Sequence, residues 1–409
     1  MKLLLLTAFL FYGFCHAETI RVGKNMPEKS IRQAIAKAKP GDTVIVQKGI
    51  YREGNILINK KIVFMGEGYP VLDGQHKSEV VSINADSVVI KGFRIINSSH
   101  SALNDPCGIK VYDRNYVRID SNILDNNYFG ISIQNGKHCI VINNFIKAYG
   151  KDEQMIGNGI HCWKSDSLQI IGNRISGHRD GIYFEFVTAS VIWRNISQNN
   201  VRYGLHFMFS HNDAYITNLF KSNGAGVAVM FTKNVKMFNN SFEENWGDSA
   251  YGLLLKEISD SYIFNNKFSK NTSGIFMEGT SRIKVEKNIF ASNGWGMKIQ
   301  ASCTDNEIVQ NNYLSNTFDI STNGSLVLNT FNGNYWDKYE GYDLDRNSVG
   351  DVPYHPLSLF AVLTESNPST MLLYRSFMIS LLDKSEKILP SITPDNFVDK
   401  TPLMKAMPL

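Results

Sequence analysis

Three side chains on consecutive repeats of the chain could bind a soft metal ion. His206 and Met208 alternate within the strand-like stretch RYGLHFMFSH, and Met230 holds the place of Met208 in the repeat that follows. Residues two apart on a strand lie about 7 Å from each other on one face, and neighbouring strands lie about 4.8 Å apart. Imidazole nitrogen together with thioether sulfur suits copper, above all Cu(I), better than zinc or magnesium. The spacing therefore predicts a copper-contacting face made of His206, Met208 and Met230.

The same face can also be interpreted as an apolar patch. Leu254 and Phe276 take the place of His206 in later repeats, so several large apolar side chains would point outward together. Such a patch would be covered by the C-terminal segment or by a partner protein. The two interpretations are compatible if a metal cargo passes through a protein–protein contact.

The acidic stretch DLDRNSVGD could bind a hard cation. Asp343, Asp345 and Asn347 alternate, and Asp351 follows four residues later. Oxygen ligands at this spacing resemble those of a calcium loop, although such a loop carries Gly at its sixth position, where this stretch has Ser348. We therefore predict structural calcium at this stretch, with a solvated loop as the alternative.

The fold that positions these residues is indicated by an internal repeat. Nine glycines, each followed by alternating apolar residues, recur mostly every 22 or 23 residues, and an Asn comes 14 residues after each of the first eight, the ninth Asn being delayed to Asn312. A period of two indicates strands, and a strand–turn unit of this size must stack on copies of itself to bury its apolar face. The sequence predicts an all-β, right-handed parallel β-helix with coils of about 22 residues. We expect the repeated Gly and Asn to supply the turned backbone angles at the corners. The repeat glycines are Gly108, Gly130, Gly159, Gly181, Gly204, Gly226, Gly252, Gly274 and Gly296.

The alternation within each strand predicts which side chains face outward. Counted from each Gly, offsets +1 and +3 are nearly all apolar and are expected to face the core, so offsets +2 and +4 face out. His206 falls at +2, Met208 and Met230 fall at +4, and Cys162 falls at an inward offset as a core thiol. Two longer repeats place their extra residues between the Asn and the next Gly, so both insertions should leave the solenoid at the same corner.

Both ends of the solenoid look capped. An amphipathic helix is predicted over residues 30–39, where it would close the first coil, and an apolar helical pattern starts near Ser369. We predict a signal peptide at 1–17, a β-helix with its N-terminal cap at 18–365, and a C-terminal helix with an extended tail at 366–409. The helix could cover the last coil, or helix and tail could dock on a membrane partner. If they dock, truncation after Pro390 should leave a folded β-helix.

The N-terminus and the charge define the compartment and exclude some partners. Lys2 precedes an apolar run of about twelve residues that ends in CHA, which is typical of a secretory signal, and the run is too short to span a membrane. Cleavage removes Lys2 and leaves a formal charge of 4 − 1 = +3, so nucleic acid is not an expected partner. Four cysteines remain, too few for disulfides to hold a chain of this length together.

A polysaccharide-active enzyme is the main alternative, because parallel β-helices often carry lyases, epimerases and glycosidases. Glycoside hydrolysis needs two carboxyls about 5 to 9.5 Å apart, whereas the outward Glu185 and Glu278 lie four coils apart, about 19 Å. The stretch HRDG, residues 178–181, offers acid–base groups that we expect to be solvated at a turn. No outward aromatic ladder for stacking sugars is evident.

The repeats RDGIYFEF, RYGLHFMFSH, YGLLLKEISDS and GIFMEGTSR, followed by FNGNYWDKYEGYDLD, VGDVPYHP and VDKTPLM, resemble the NosD family over nearly the whole mature chain. The resemblance implies a non-enzymatic periplasmic component of an ABC transporter that works with a cytoplasmic ATPase and a membrane permease. It implies a role in building the copper–sulfide centre of nitrous oxide reductase, with a membrane-anchored copper chaperone as the expected donor. Copper ions would be cargo, and the protein would associate with the inner membrane peripherally, through the permease. His206, Met208 and Met230 are copper-handling candidates inferred from their chemistry.

Overall fold

The protein is a right-handed parallel β-solenoid, as predicted. A computed structural model describes residues 17–101, 104–248, 250–324, 328–388 and 397–408, so residues 1–16 of the predicted signal peptide lie outside the described residues. Each coil contributes one short strand to each of three parallel sheets, which we call A, B and C. Among the described residues, no helix combines the length and apolarity that a membrane crossing requires.

The three sheets run along the whole solenoid, with 14, 13 and 12 strands. Sheet A contains Thr19–Val22, Thr43–Gln47, Val63–Glu67, Val89–Lys91, Arg118–Asp120, Ile140–Ile142, Gln169–Ile171, Val191–Trp193, Ala214–Ile216, Lys236–Phe238, Tyr262–Phe264, Lys284–Glu286, Thr304–Val309 and Leu328–Asn332. Sheet B contains Ile50–Tyr51, Val71–Asp73, Arg94–Ile96, Ile123–Asp125, Phe145–Lys147, Arg174–Ser176, Ile196–Gln198, Leu219–Lys221, Ser241–Glu243, Lys267–Ser269, Ile289–Ala291, Asn312–Leu314 and Tyr335–Trp336. Sheet C contains Ile56–Ile58, Val81–Ile83, Cys107–Tyr112, Phe129–Gln134, Ile160–Trp163, Ile182–Glu185, Tyr203–Met208, Ala225–Met230, Tyr251–Lys256, Ser273–Glu278, Trp295–Ile299 and Phe318–Ser321.

The repeated asparagines form a buried ladder at the corner between sheets A and B. The backbone N–H of Asn195 donates to Oδ1 of Asn218 in the next coil at 2.9 Å, and the Asn195 side-chain amide donates to the same oxygen and to Ile170 O. Buried polar groups need such partners because an unmet donor costs about 1–3 kcal/mol. The ninth member of the ladder is Asn311, not Asn312 as predicted, because Asn288 N donates to Asn311 Oδ1.

The backbone angles at the corners differ from the prediction. Neither the repeat glycines nor the ladder asparagines have positive φ; the residue before the Asn does, as at Arg194 (54°) and Thr217 (55°). The repeat Gly is needed for close approach instead, since a Cβ at Gly204 would lie 2.6 Å from the carbonyl oxygen of Gly226 in the next coil. Stacking distance, not turn geometry, therefore selects glycine in this column.

The core is filled by columns of like side chains. Two residues after successive ladder asparagines, aromatic rings stack face to face with centroids 4.1–5.5 Å apart. All of these rings are buried, which removes a large apolar area from water. The stack runs through Phe220, Phe242, Phe268, Phe290, Tyr313 and Trp336.

The first coil is closed by a short helix, as predicted. Helix α1 spans Ile31–Lys37 and buries Ile31, Ala34 and Ile35 against the solenoid. Ser30 is the N-cap, and the carboxylate of Glu53 accepts the backbone N–H groups of Ile31 and Arg32. The helix is shorter than the predicted range 30–39 because Ala38 already has extended ψ (145°).

The predicted C-terminal helix is three helical segments. Helix α2 (Leu359–Ser366) packs on the last coil of sheet C, a 3₁₀ helix follows at Pro368–Leu373, and helix α3 spans Phe377–Ile388. The break before α3 arises because Tyr374 has extended ψ (133°) and Arg375 has positive φ (64°). The helical region therefore begins before the predicted boundary at residue 366.

The described part of the predicted extended tail, residues 397–408, packs on the last coil of the solenoid. Asp399 is fully buried, and its carboxylate accepts the backbone N–H groups of Gly333 and Asn334 and the indole N–H of Trp336. Asp399 thereby takes the position that the next asparagine of the ladder would occupy. Residues 397–408 are therefore attached to the end of the solenoid.

Candidate metal site

The three predicted copper ligands lie on one face of sheet C. Met208 pairs with Met230 in register, and both side chains are partly exposed on the outer face, on strands Tyr203–Met208 and Ala225–Met230. The same row continues with Glu185 on one side and Lys256 on the other. The two thioethers are therefore neighbours across one strand spacing, about 4.8 Å.

His206 shares this face but is not open to solvent, as an outward +2 position would suggest. It is only 6% exposed, because an additional outward column lies one residue before each repeat glycine and covers it. The rings of Tyr203, from that column, and of Tyr183 lie 4.8 and 5.0 Å from the imidazole. Neither ring nitrogen of His206 has a hydrogen-bond partner among the described residues.

A buried ion pair lies beside His206. Asp180 is fully buried and accepts two hydrogen bonds from Arg202, from Nε at 2.9 Å and from NH2 at 2.6 Å. Burial alone would raise the pKa of Asp180, but the hydrogen bonds and the charge of Arg202 lower it, so the carboxylate is ionised at neutral pH. Asp180 Oδ2 also lies 3.6 Å from Nδ1 of His206. Sequence reasoning missed this role, although the HRDG motif contained the signal.

The HRDG corner is not solvated, contrary to the prediction. His178 is fully buried, and burial lowers its pKa to about 4. His161, one coil from Tyr183 on the same face, also has its pKa lowered to about 4, first by burial and then by the charge of Arg179. Both imidazoles are therefore neutral at physiological pH. The prediction of a solvated turn was wrong because Asp180, one residue before Gly181, is buried beside His206 and Arg202.

An exposed aromatic ladder, which the sequence analysis did not find, runs beside the thioethers. Phe186, Phe209 and Phe231 follow Glu185, Met208 and Met230 at the end of three consecutive strands, and their ring centroids are 5.1–5.2 Å apart. They are 44%, 38% and 38% exposed. The recurrence of Phe after the +4 position was its signal in the sequence.

The geometry of this ladder does not suit sugar stacking. The rings are nearly parallel, with interplanar angles of 9° and 16°, so each inner face is covered by its neighbour. Phe209 stacks on a ring at each side and therefore presents only its ring edge to solvent. Glu185 and Glu278 are four coils apart by register, as counted from the sequence, and Glu278 pairs with Lys256 at 3.3 Å.

Two insertion loops flank the coils that carry these residues. Both join sheet B to sheet C, one between Lys147 and Ile160 and the other between Glu243 and Tyr251, which confirms that they leave at the same corner. Each presents a large exposed apolar side chain, Met155 (62%) in the first loop and Trp246 (65%) in the second. The two loops bracket the coils of Gly159, Gly181, Gly204 and Gly226.

The predicted calcium residues turn back on their own loop. Asp343 accepts the backbone N–H groups of Asn347 and Ser348, Asp345 accepts Asn347 N, and Asp351 accepts Leu344 N. Over the described parts of the chain, no three His, Cys, Asp or Glu side chains are grouped closely enough to hold an ion. The geometry gives the calcium prediction no support, because the carboxylates already have local donors.

The comparisons with known proteins agree on one family. Residues 147–341 match the sequence model of the family described as "Periplasmic copper-binding protein (NosD)". The chain is 27% identical over 374 residues to a "Probable ABC transporter binding protein NosD" of Pseudomonas aeruginosa, covering 86% of each chain. It is 26% identical to the protein of the same description in Stutzerimonas stutzeri, covering 86% of this chain and 85% of that one.

Solved structures resemble the protein in fold alone. The catalytic unit of a GH87 alpha-1,3-glucanase from Streptomyces thermodiastaticus aligns with a TM-score of 0.57 and 14% identity over 75% of this chain and 64% of that one. PfbA, a surface adhesin of Streptococcus pneumoniae, aligns with a TM-score of 0.53 and 14% identity over 72% and 89%. An enzyme and an adhesin thus share the solenoid, so the fold does not decide the activity. The sequence matches support a NosD-like protein: the family model matches residues 147–341, and both relatives match over 86% of this chain.

Proposed function

We propose that this protein is the periplasmic component of an ABC-transporter complex and that it handles copper during assembly of the copper–sulfide centre of nitrous oxide reductase. The observation that carries the proposal is the in-register pair of partly exposed thioethers, Met208 and Met230, beside an imidazole without a hydrogen-bond partner. Soft sulfur with imidazole nitrogen is a donor set suited to Cu(I). The description of the matching family refers to copper binding, and the name of the Pseudomonas aeruginosa relative refers to an ABC transporter; both support the same assignment.

The C-terminal helices supply a surface for the membrane partner. Leu372, Phe377, Met378 and Leu381 are 90%, 83%, 66% and 50% exposed, more apolar surface than a simple cap needs to present. We propose that this surface contacts the periplasmic side of the permease, whose cytoplasmic ATPase would drive the complex. The insertion loops and the exposed phenylalanine ladder would face the copper donor, a membrane-anchored chaperone, and the reductase.

The alternative function, a polysaccharide-active enzyme, rests on the fold alone. The solenoid is shared with a glucanase, but the aromatic ladder has its ring faces occupied and the outward carboxylates are far apart. A thermal shift with oligouronates tests this alternative directly. A rise in melting temperature that saturates with oligouronate concentration would favour it over copper handling.

Replacing both methionines by leucine tests the copper site. Met208→Leu with Met230→Leu keeps size and apolarity but removes sulfur, so a purely apolar patch would keep its contacts while a ligand set would be lost. We expect Cu(I) affinity, measured anaerobically by competition with a chromophoric chelator, to fall on the order of 100-fold or more, beyond the 10–100-fold typical of losing a supporting group. Met378→Leu, which removes an exposed sulfur from α3, is the matched control. Unchanged Cu(I) affinity in the double variant would reject ligation by these thioethers.

Deleting the gene tests the physiological role. Without this protein, nitrous oxide reductase should still fold and be exported, but it should lack its copper–sulfide centre, and nitrous oxide should accumulate. Copper and sulfide content of the purified reductase and gas evolution by the cells measure the two effects. A reductase that carries the complete centre in the deletion strain would contradict the proposed function.

A further inference from the structure

The Asp180–Arg202 pair is difficult to explain by stability alone. Taking the Asp180 carboxylate out of water costs several kcal/mol, although the Arg202 side chain stays 30% exposed. In this coil the carboxylate is fully buried and held on both oxygens by Arg202, with Tyr203 N as a third donor at 3.3 Å. The result is a carboxylate fixed in position at the edge of the thioether face.

The carboxylate faces one particular nitrogen of His206. Asp180 Oδ2 is 3.6 Å from Nδ1, just beyond hydrogen-bond length, while Nε2 is buried without a partner among the described residues. Both oxygens of Asp180 accept hydrogen bonds from Arg202, so the carboxylate faces Nδ1 as an acceptor and favours an N–H there over a lone pair. Nε2 then carries the free lone pair. A buried nitrogen with an unmet lone pair is costly unless a ligand or water occupies it.

We propose that Asp180 is a positioning residue that, held by Arg202, fixes the tautomer and orientation of His206 so that Nε2 is available to Cu(I). The inference rests on the proposed copper-handling function of this face and adds the group that prepares its nitrogen ligand. Metal-binding histidines commonly donate their second ring N–H to a carboxylate, which sets the tautomer and raises ligand basicity. Arg202 has the complementary role, because its two hydrogen bonds hold the Asp180 carboxylate in place.

Two double variants separate positioning from packing. Asp180→Leu with Arg202→Met removes the charge pair and leaves no acceptor for Nδ1, while Asp180→Asn with Arg202→Gln keeps an amide oxygen there. We expect the first to bind Cu(I) about 10–100-fold more weakly than wild type and the second to recover part of that loss. Asp319→Asn with Lys338→Gln, which removes another pair with a buried carboxylate, at 3.4 Å, should leave Cu(I) affinity unchanged.

The tautomer of His206 can be measured in the metal-free protein. If Asp180 and Arg202 had only a structural role, replacing them would not change this tautomer. Long-range ¹⁵N–¹H NMR of imidazole-labelled protein, with His206→Gln for assignment, should show Nδ1 protonated in wild type and a mixture or the reverse tautomer in the Leu/Met variant. Wild-type Cu(I) affinity in the Leu/Met variant, or an Nε2-protonated His206 in wild type, would overturn the proposal. If the Leu/Met variant fails to fold, the amide variant decides the question, because Asn keeps the size of Asp180 although Gln is shorter than Arg: a His206 protonated on Nε2 together with wild-type Cu(I) affinity would overturn the proposal.

Failure of the function and failure of this inference are distinguishable. If wild type itself binds no Cu(I), the copper function of the face is wrong whatever the tautomer. If wild type binds Cu(I) and the Leu/Met variant binds it equally well, the copper function stands and only the positioning role of Asp180 is rejected.

Discussion

Asp399→Ala is expected to open the C-terminal end of the solenoid. The substitution leaves the backbone N–H of Asn334 and the indole N–H of Trp336 buried without their acceptor, whereas the N–H of Gly333 keeps Thr401 Oγ1. Each unmet donor costs about 1–3 kcal/mol, so the loss of two should cost the end cap about 2 to 6 kcal/mol. Urea unfolding followed by circular dichroism, together with the rate of proteolysis within residues 397–408, measures the loss.

Matched variants test that the loss comes from the carboxylate. Lys400→Ala changes the exposed neighbouring residue and should have little effect on unfolding, whereas truncation after Pro390 also removes the buried Phe397 and should destabilise the cap more than Asp399→Ala. Solenoids depend on their terminal caps because an open last coil exposes apolar surface. A truncated protein as resistant to urea and protease as wild type would show that the tail is dispensable for stability and would contradict this prediction.

Asp213→Asn is expected to remove a large pH dependence of stability. Asp213 is 1% exposed, its Oδ1 accepts Ser190 N, and its Oδ2 has no partner among the described residues. Burial raises its pKa to about 8, with the hydrogen bond from Ser190 opposing the shift. Because the folded-state pKa exceeds the unfolded value of 3.8, the side chain imposes no ionisation penalty below about pH 4, and the free energy of unfolding falls as pH rises from there to about 8.

The expected slope is about 1.4 kcal/mol per pH unit for a single group in that range, so the variant should gain several kcal/mol on wild type between pH 5 and pH 8. Denaturant midpoints at both pH values measure this gain. Asp260→Asn is the control: hydrogen bonds from Arg282 and then Ser259 lower the pKa of Asp260 to about 2, below the window, so the slope should not change. Equal pH dependence in wild type and Asp213→Asn would contradict the prediction.

Much of the candidate site could be predicted because it follows from strand register. The pairing of Met208 with Met230 depends only on a repeat of 22 residues and an alternation of two, both of which are local properties of the sequence. The phenylalanine ladder follows from the same repeat, because its residues come directly after the last position of three consecutive strands. The burial of His206 does not follow from the alternation within its own strand. It depends on contacts with Asp180 and Tyr203, each of which lies one residue before a repeat glycine.

The sequence by itself determined the architecture of this protein: a stack of coils with an apolar interior, an asparagine ladder and a methionine pair on one outer row. A single coil cannot bury its apolar face, so a 22-residue period with inward alternation leaves stacking as the stable arrangement. The tertiary structure alone decided how the solenoid ends and which groups surround His206. The carboxylate of Asp399 completes the ladder from 65 residues beyond Asn334, and Arg202 reaches Asp180 from the next coil. Such contacts join side chains whose proximity depends on the folded path of the chain, and no local period encodes them.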